Sequence, residues 1–112
     1  MFNKNNFLLG FGTGYTTTEK DLFEKIELIK LTGCPIVELS LLSPDIYSEI
    51  RNLDKLKKAL SSFRSVSVHA PSKEFRYDNS KRSRDFLKRI NQICQAINPT
   101  ILVVHPDVID NL

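Results

Sequence analysis

The sequence predicts an α/β protein built on a parallel sheet, and three observations carry that expectation. Apolar runs alternate with amphipathic segments of helical length, joined by short connections. The strand candidates divide by side-chain parity into an apolar face and a polar one. The chain's two histidines each close an apolar run that a proline then stops, in Ser67-Val68-His69-Ala70-Pro71 and Val103-Val104-His105-Pro106-Asp107. Parallel strands deliver their chemical residues at their C-terminal ends, so the two placements point to a shared site.

Phe7 to Gly12 is a short apolar run closing in glycines and reads as the first strand. Thr16 and Glu19 have the spacing of a helix capping box. Leu22, Phe23, Ile26, Ile29 and Leu31 then follow a helical stripe that Gly33 terminates. Pro35 restarts the chain as extended, and Ile36 to Leu41 forms the second strand. Ser43-Pro44 supplies a cap and first turn for a helix carrying Ile46, Tyr47, Ile50, Leu53, Leu56 and Leu60, with a break near Asn52. Ser65 to Ala70 is the third strand. Phe86, Leu87, Ile90, Ile93, Cys94 and Ile97 mark the clearest amphipathic helix, which Asn98-Pro99 ends. Ile101 to His105 is the fourth strand. The β-α-β-α-β-α-β order implies parallel pairing through right-handed crossovers.

Parity sharpens the expectation. Val37, Leu39 and Leu41 share one face of the second strand, and Ile36, Glu38 and Ser40 share the other. Val66, Val68 and Ala70 likewise oppose Ser65, Ser67 and His69. The apolar face suits a helix layer, and the polar one suits a lined cavity such as a barrel mouth. Glu38 and His69 face it, and His105 joins them if its strand keeps the same parity.

Residues 1–112 read as one soluble domain with no linker or repeat. No apolar run approaches the roughly 20 residues of a membrane span. Met1 to Asn6 lacks the features of a signal peptide, so a cytoplasmic location is expected. Cys34 and Cys94 have no CxxC partner and read as free thiols. The net charge of +3 is too mild to establish nucleic-acid binding.

Among candidate site residues, Glu38 sits on an otherwise apolar strand, where a carboxylate is either paired with a cation or functional. Asp107 orients His105, contacts substrate or caps the next helix, the cap being the blander reading. Gly10-Phe11-Gly12-Thr13-Gly14 fails the dinucleotide-binding spacing, since Tyr15 stands where a third glycine belongs, and reads as a tight turn. Tyr15 and Tyr77 are candidate substrate contacts. Lys81, Arg82, Arg84, Lys88 and Arg89 read as a solvated helix face rather than a phosphate-contacting surface.

Val37-Glu38-Leu39, His69-Ala70-Pro71 and His105-Pro106 resemble the xylose-isomerase-like TIM barrels, a superfamily of sugar isomerases and epimerases that also includes the endonuclease IV repair enzymes. The resemblance implies a divalent metal, zinc or manganese, held by His69 and His105, with Glu38 as a catalytic carboxylate. It implies a small sugar or sugar-phosphate substrate, or alternatively abasic DNA. A complete barrel of this type takes about 250 residues. The chain ends just past the fourth strand, so the expectation is half a TIM barrel that self-associates, joins a companion half or belongs to a longer parent. A non-catalytic half-barrel is the third reading.

Overall fold

A computed structural model describes residues 9–15 and 20–110. Four strands, β1 (Gly10–Gly12), β2 (Ile36–Ser40), β3 (Ser65–His69) and β4 (Ile101–Val103), form one sheet in the order β1-β2-β3-β4, with every pairing parallel. Three helices, α1 (Leu22–Leu31), α2 (Leu53–Leu60) and α3 (Lys81–Ile97), connect them. The protein is therefore an α/β fold of βα repeats, and its sheet does not close into a barrel.

The parity read from the sequence is the parity of the sheet. Val37, Leu39, Val66 and Val68 are buried and join Leu22, Ile26, Leu56, Ile90 and Ile93 of the helices in one core. In-register pairing stacks Gly12, Glu38, Ser67 and Ile101 in one row of the opposite face, and Ser40, His69 and Val103 in the next. Each fully buried Leu or Ile contributes roughly 1.5–3 kcal/mol by leaving water, so this one core dominates the energetics.

Local chemistry sets the helix ends. Asp21 caps α1 by accepting from the Glu24 amide at 2.9 Å. The capping-box reading of Thr16 and Glu19 falls on residues outside the described ones. Gly33 follows α1 with φ +73, the left-handed conformation that a residue without Cβ adopts cheaply. Leu31 departs from the expected stripe and is 85% exposed, because it lies off the face formed by Leu22, Ile26 and Ile29. The segment after Ser43-Pro44 is a 3-10 helix over Pro44–Glu49 rather than an α-helix, and Ser43 makes no capping side-chain bond. The break near Asn52 is real: its side chain accepts from the Lys55 amide at 3.1 Å and starts α2.

The third helix begins five residues before its apolar stripe, at Lys81, with Ser80 capping the Ser83 amide. Asn98 ends it in the left-handed conformation. The fourth strand stops at Val103, two residues short of His105, because Pro106 starts a 3-10 turn there.

Both sheet edges carry exposed apolar side chains: Leu9 and Phe11 along β1, and Ile101, Leu102 and Val104 along and just after β4. Strands with open edges and apolar side chains are templates for further pairing. Among the described residues no helix is long and apolar enough to cross a membrane.

Candidate functional site

His69 is the last residue of β3, and backbone bonds flank its position on both sides. The Leu41 amide donates to the His69 carbonyl at 3.0 Å, and the following amide, Ala70, donates to the Val103 carbonyl at 2.9 Å. Its side chain consequently leaves a rigid point of the sheet. His105 lies beyond β4, at the start of the turn Pro106–Val108. That turn is held by a parallel bridge between Tyr77 and Ile109, in which the Tyr77 amide donates to the Val108 carbonyl and the Asp110 amide to the Tyr77 carbonyl.

These two supports bring the Nε2 atoms of His69 and His105 to 2.7 Å, with ring centroids 4.6 Å apart. The hydrogen-bond pattern fixes the proton positions. His69 Nδ1 lies 2.8 Å from the Ala70 carbonyl, which only accepts, so Nδ1 carries the proton. In the Nδ1–H tautomer His69 presents a bare Nε2 lone pair to which His105 Nε2–H can donate. His105 Nδ1 stands 3.8 Å from Asp107 Oδ1, an ion-pair distance rather than a hydrogen bond.

Glu38 shares the open face but sits two residues below the level of Ser40 and His69, about 7 Å deeper along the strand direction. It is half-buried and forms no ion pair among the described residues, so no structural cation partner accounts for it. Asp107 does not cap a helix. It stands in the first turn of Pro106–Val108 beside His105, with its side chain 80% exposed. Tyr77 does not line the mouth: it is buried, stacks edge-on against Phe75 and donates its hydroxyl to the Pro71 carbonyl at 3.1 Å. Burial pushes its phenol up to about 12, which keeps that donor protonated. Tyr15 ends the 3-10 turn Thr13–Tyr15, and its reading as a substrate contact concerns a side chain outside the described ones.

The basic residues at the start of α3 are largely engaged within the chain. Lys81 pairs with Asp85, Arg84 donates to the Asn79 carbonyl and Arg89 to the Ile50 carbonyl. The Lys81 ammonium holds the Asp85 carboxyl below its ordinary range. In the neighbouring loop, Arg76 Nε donates to Asp110 Oδ1 at 2.8 Å, which holds the Asp110 carboxyl down and the guanidinium up.

The donor type suits zinc, and a ring nitrogen tied to a backbone carbonyl is how ligating histidines are oriented. Among the described residues, however, no group of three or more His, Cys, Asp or Glu side chains is arranged around one ion.

Comparison with known proteins adds nothing to this geometry: no family model, no curated protein and no solved structure matches the chain.

Sequence reasoning named His69, His105 and Glu38, of which the structure brings the two histidine rings together and leaves Glu38 two residues lower on the sheet face. It did not find the Arg76–Asp110 pair or the Tyr77–Ile109 bridge, because both join segments more than thirty residues apart with no local pattern marking either partner.

Proposed function

We propose that the chain contributes the histidine-bearing half of a divalent-metal-dependent isomerase or epimerase acting on a small sugar or sugar phosphate. The observation that carries this proposal is the convergence of two imidazole Nε2 atoms, one freed by its partner nitrogen's bond to Ala70, at the C-terminal ends of parallel strands. A divalent cation, if held by His69 and His105, would supply polarisation of the sugar's carbonyl and hydroxyl oxygens. Glu38, deeper on the same face and without an ion-pair partner among the described residues, is the group offered to carry a proton between neighbouring carbons. Asp107 biases the His105 ring through its Nδ1 edge.

The missing donors come from water, from substrate, or from a second copy or companion half joined at the open sheet edges. A cytoplasmic setting accords with two free thiols, Cys34 and Cys94.

The second reading is an endonuclease-IV-like phosphodiesterase acting on abasic DNA, favoured because both donors are histidines at strand ends. Against it stands the internal engagement of Lys81, Arg84, Arg89 and Arg76, which leaves fewer cations to meet a phosphate backbone. If neither activity exists, the chain is a non-catalytic half-barrel.

Metal content of the purified chain, read beside aldose–ketose interconversion and abasic-duplex cleavage, tests the proposal. Near-stoichiometric metal that is lost in His69→Ala and His105→Ala, with isomerisation lost in Glu38→Gln, is the expected result. Cleavage of the duplex without isomerisation selects the nuclease, and metal-free protein inactive in both assays selects the half-barrel.

A further inference from the structure

A second polar cleft, of about 200 Å³, opens beyond the C-terminal ends of β1 and β2. Ser40, the last residue of β2, forms part of its wall. This serine is 7% exposed, and its hydroxyl forms no hydrogen bond among the described residues, although its amide is held by Thr13 Oγ1 at 2.9 Å. A hydroxyl on a largely buried serine that still opens on a cleft is a donor available to a ligand.

The glycine-rich turn, which did not fit a dinucleotide, accounts for the space above that hydroxyl. A Cβ on Gly14 would fall 3.0 Å from Ser40 Oγ and 2.9 Å from Ser40 Cβ. One on Gly12 would fall 3.3 Å from the same oxygen. Glycine at both positions leaves room beside the Ser40 hydroxyl that a Cβ would take up.

Two lysines from different elements reach this cleft. Lys25 belongs to the first turn of α1, where a cation opposes the helix dipole and helix stability gains nothing from it. Lys73 is brought in by the loop after β3, whose Ser72 and Lys73 amides both donate to the Leu42 carbonyl at 2.9 Å. Neither lysine forms an ion pair among the described residues, whereas Lys20, Lys30 and Lys81 each have a carboxylate partner. The carboxylate lining the cleft, Glu49, is turned to the N-terminus of α1, where its Oε2 accepts from the Leu22 amide at 3.0 Å.

We propose that this cleft is a phosphate subsite, in which the Ser40 hydroxyl and the ammonium groups of Lys25 and Lys73 hold the phosphate of a phosphorylated ligand. Ammonium groups and hydroxyl donors converging on a small concave space are the chemistry that recognises a phosphate monoester. Ser40 is the register partner of His69, so a ligand anchored here extends toward the histidine pair. That extension rests on the isomerase proposal and makes the substrate a sugar phosphate rather than a free sugar.

The test is a titration of the full, isotopically labelled chain with inorganic phosphate, followed by amide NMR in the presence of a chelator at constant ionic strength. Saturable shifts centred on Thr13, Gly14, Ser40, Ser43 and Lys73 are expected. Lys25→Gln with Lys73→Gln weakens binding by about tenfold or more. Ser40→Ala and Gly14→Ala each weaken it too, the first by deleting the donor and the second by covering it. Unsaturable drift spread over all surface lysines, or affinity unchanged in the double lysine variant with its fold intact, overturns the subsite. The chelator removes any metal, so this result speaks of the cleft alone. Phosphate binding retained in His69→Ala, combined with a purified chain that is metal-free and inactive in aldose–ketose interconversion, leaves the subsite standing and removes only its link to sugar isomerisation.

Discussion

The Nε2 atoms of His69 and His105 meet at 2.7 Å across thirty-six residues of chain, with one ring anchored by the sheet and the other by a turn. Because His69 Nδ1 is committed to the Ala70 carbonyl, the contact has a direction: His105 donates and His69 accepts. Long-range nitrogen–carbon-proton correlation spectra of the metal-free protein should show His69 as the Nδ1–H tautomer with a bare Nε2. An Nε2–H tautomer at His69 would sink both this assignment and the metal proposal built on it.

The Arg76–Asp110 pair should make the His105 loop acid-sensitive. The Asp110 carboxyl is held down by the Arg76 hydrogen bond, so its contribution is present above the ordinary carboxylate pKa. That contribution is lost as pH falls through the lowered folded value, which puts the window below about pH 4. Protection of the Tyr77 and Asp110 amides, whose bonds form the adjoining bridge, should fall there, relative to the intrinsic exchange rate at each pH, before global unfolding. Asp110→Asn should show low protection at every pH, and a pH-independent protection factor in the parent chain would contradict the latch.

The two buried tyrosines should respond in opposite ways to loss of the hydroxyl. Tyr77 donates to Pro71, whereas Tyr47 packs its ring edge-on against Phe86 and its buried hydroxyl has no partner among the described residues. Tyr77→Phe should lower unfolding free energy by about 1 kcal/mol, and Tyr47→Phe should leave it unchanged or raise it by about 1 kcal/mol. Denaturant melts of both variants decide the matter. A large loss in Tyr47→Phe would mean that a water occupies the space beside its hydroxyl.

Open edges should make the chain associate. Ile101 and Leu102, at 57% and 43% exposure, present apolar surface on both faces of β4, which is an edge strand among the described residues. Sedimentation velocity should find dimers or larger species in the parent chain. Leu102→Lys should weaken association by about tenfold or more, since a charged edge resists strand addition. A monodisperse parent monomer would mean that the edges are tolerated as they stand.

The sheet was legible in the sequence because alternation is a local property: Val37 and Val68 against Glu38 and His69 reveal two faces without any knowledge of the partner strand. Helix α3 was legible from the spacing of Phe86, Ile90, Ile93 and Ile97, and its start from the basic run that opens at Lys81. The 3-10 form of Pro44–Glu49 was hidden for a different reason. Ile46, Tyr47 and Ile50 fit an α-helical stripe, and the tighter winding comes from packing, with Tyr47 and Ile50 buried in the core. Within the site, the histidines announced themselves by position. Tyr77 looked like a mouth residue because it follows His69 in the chain, yet the Pro71 carbonyl and the Phe75 ring draw it inward.

The spatial order of the strands repeats their order along the chain. Each new strand therefore needs only the one made just before it, and no earlier segment must wait for a distant partner to be synthesised. Such a chain can fold vectorially as it emerges from the ribosome, each βα unit docking on a finished template, and it avoids the slow closure of long loops that non-neighbouring strands impose.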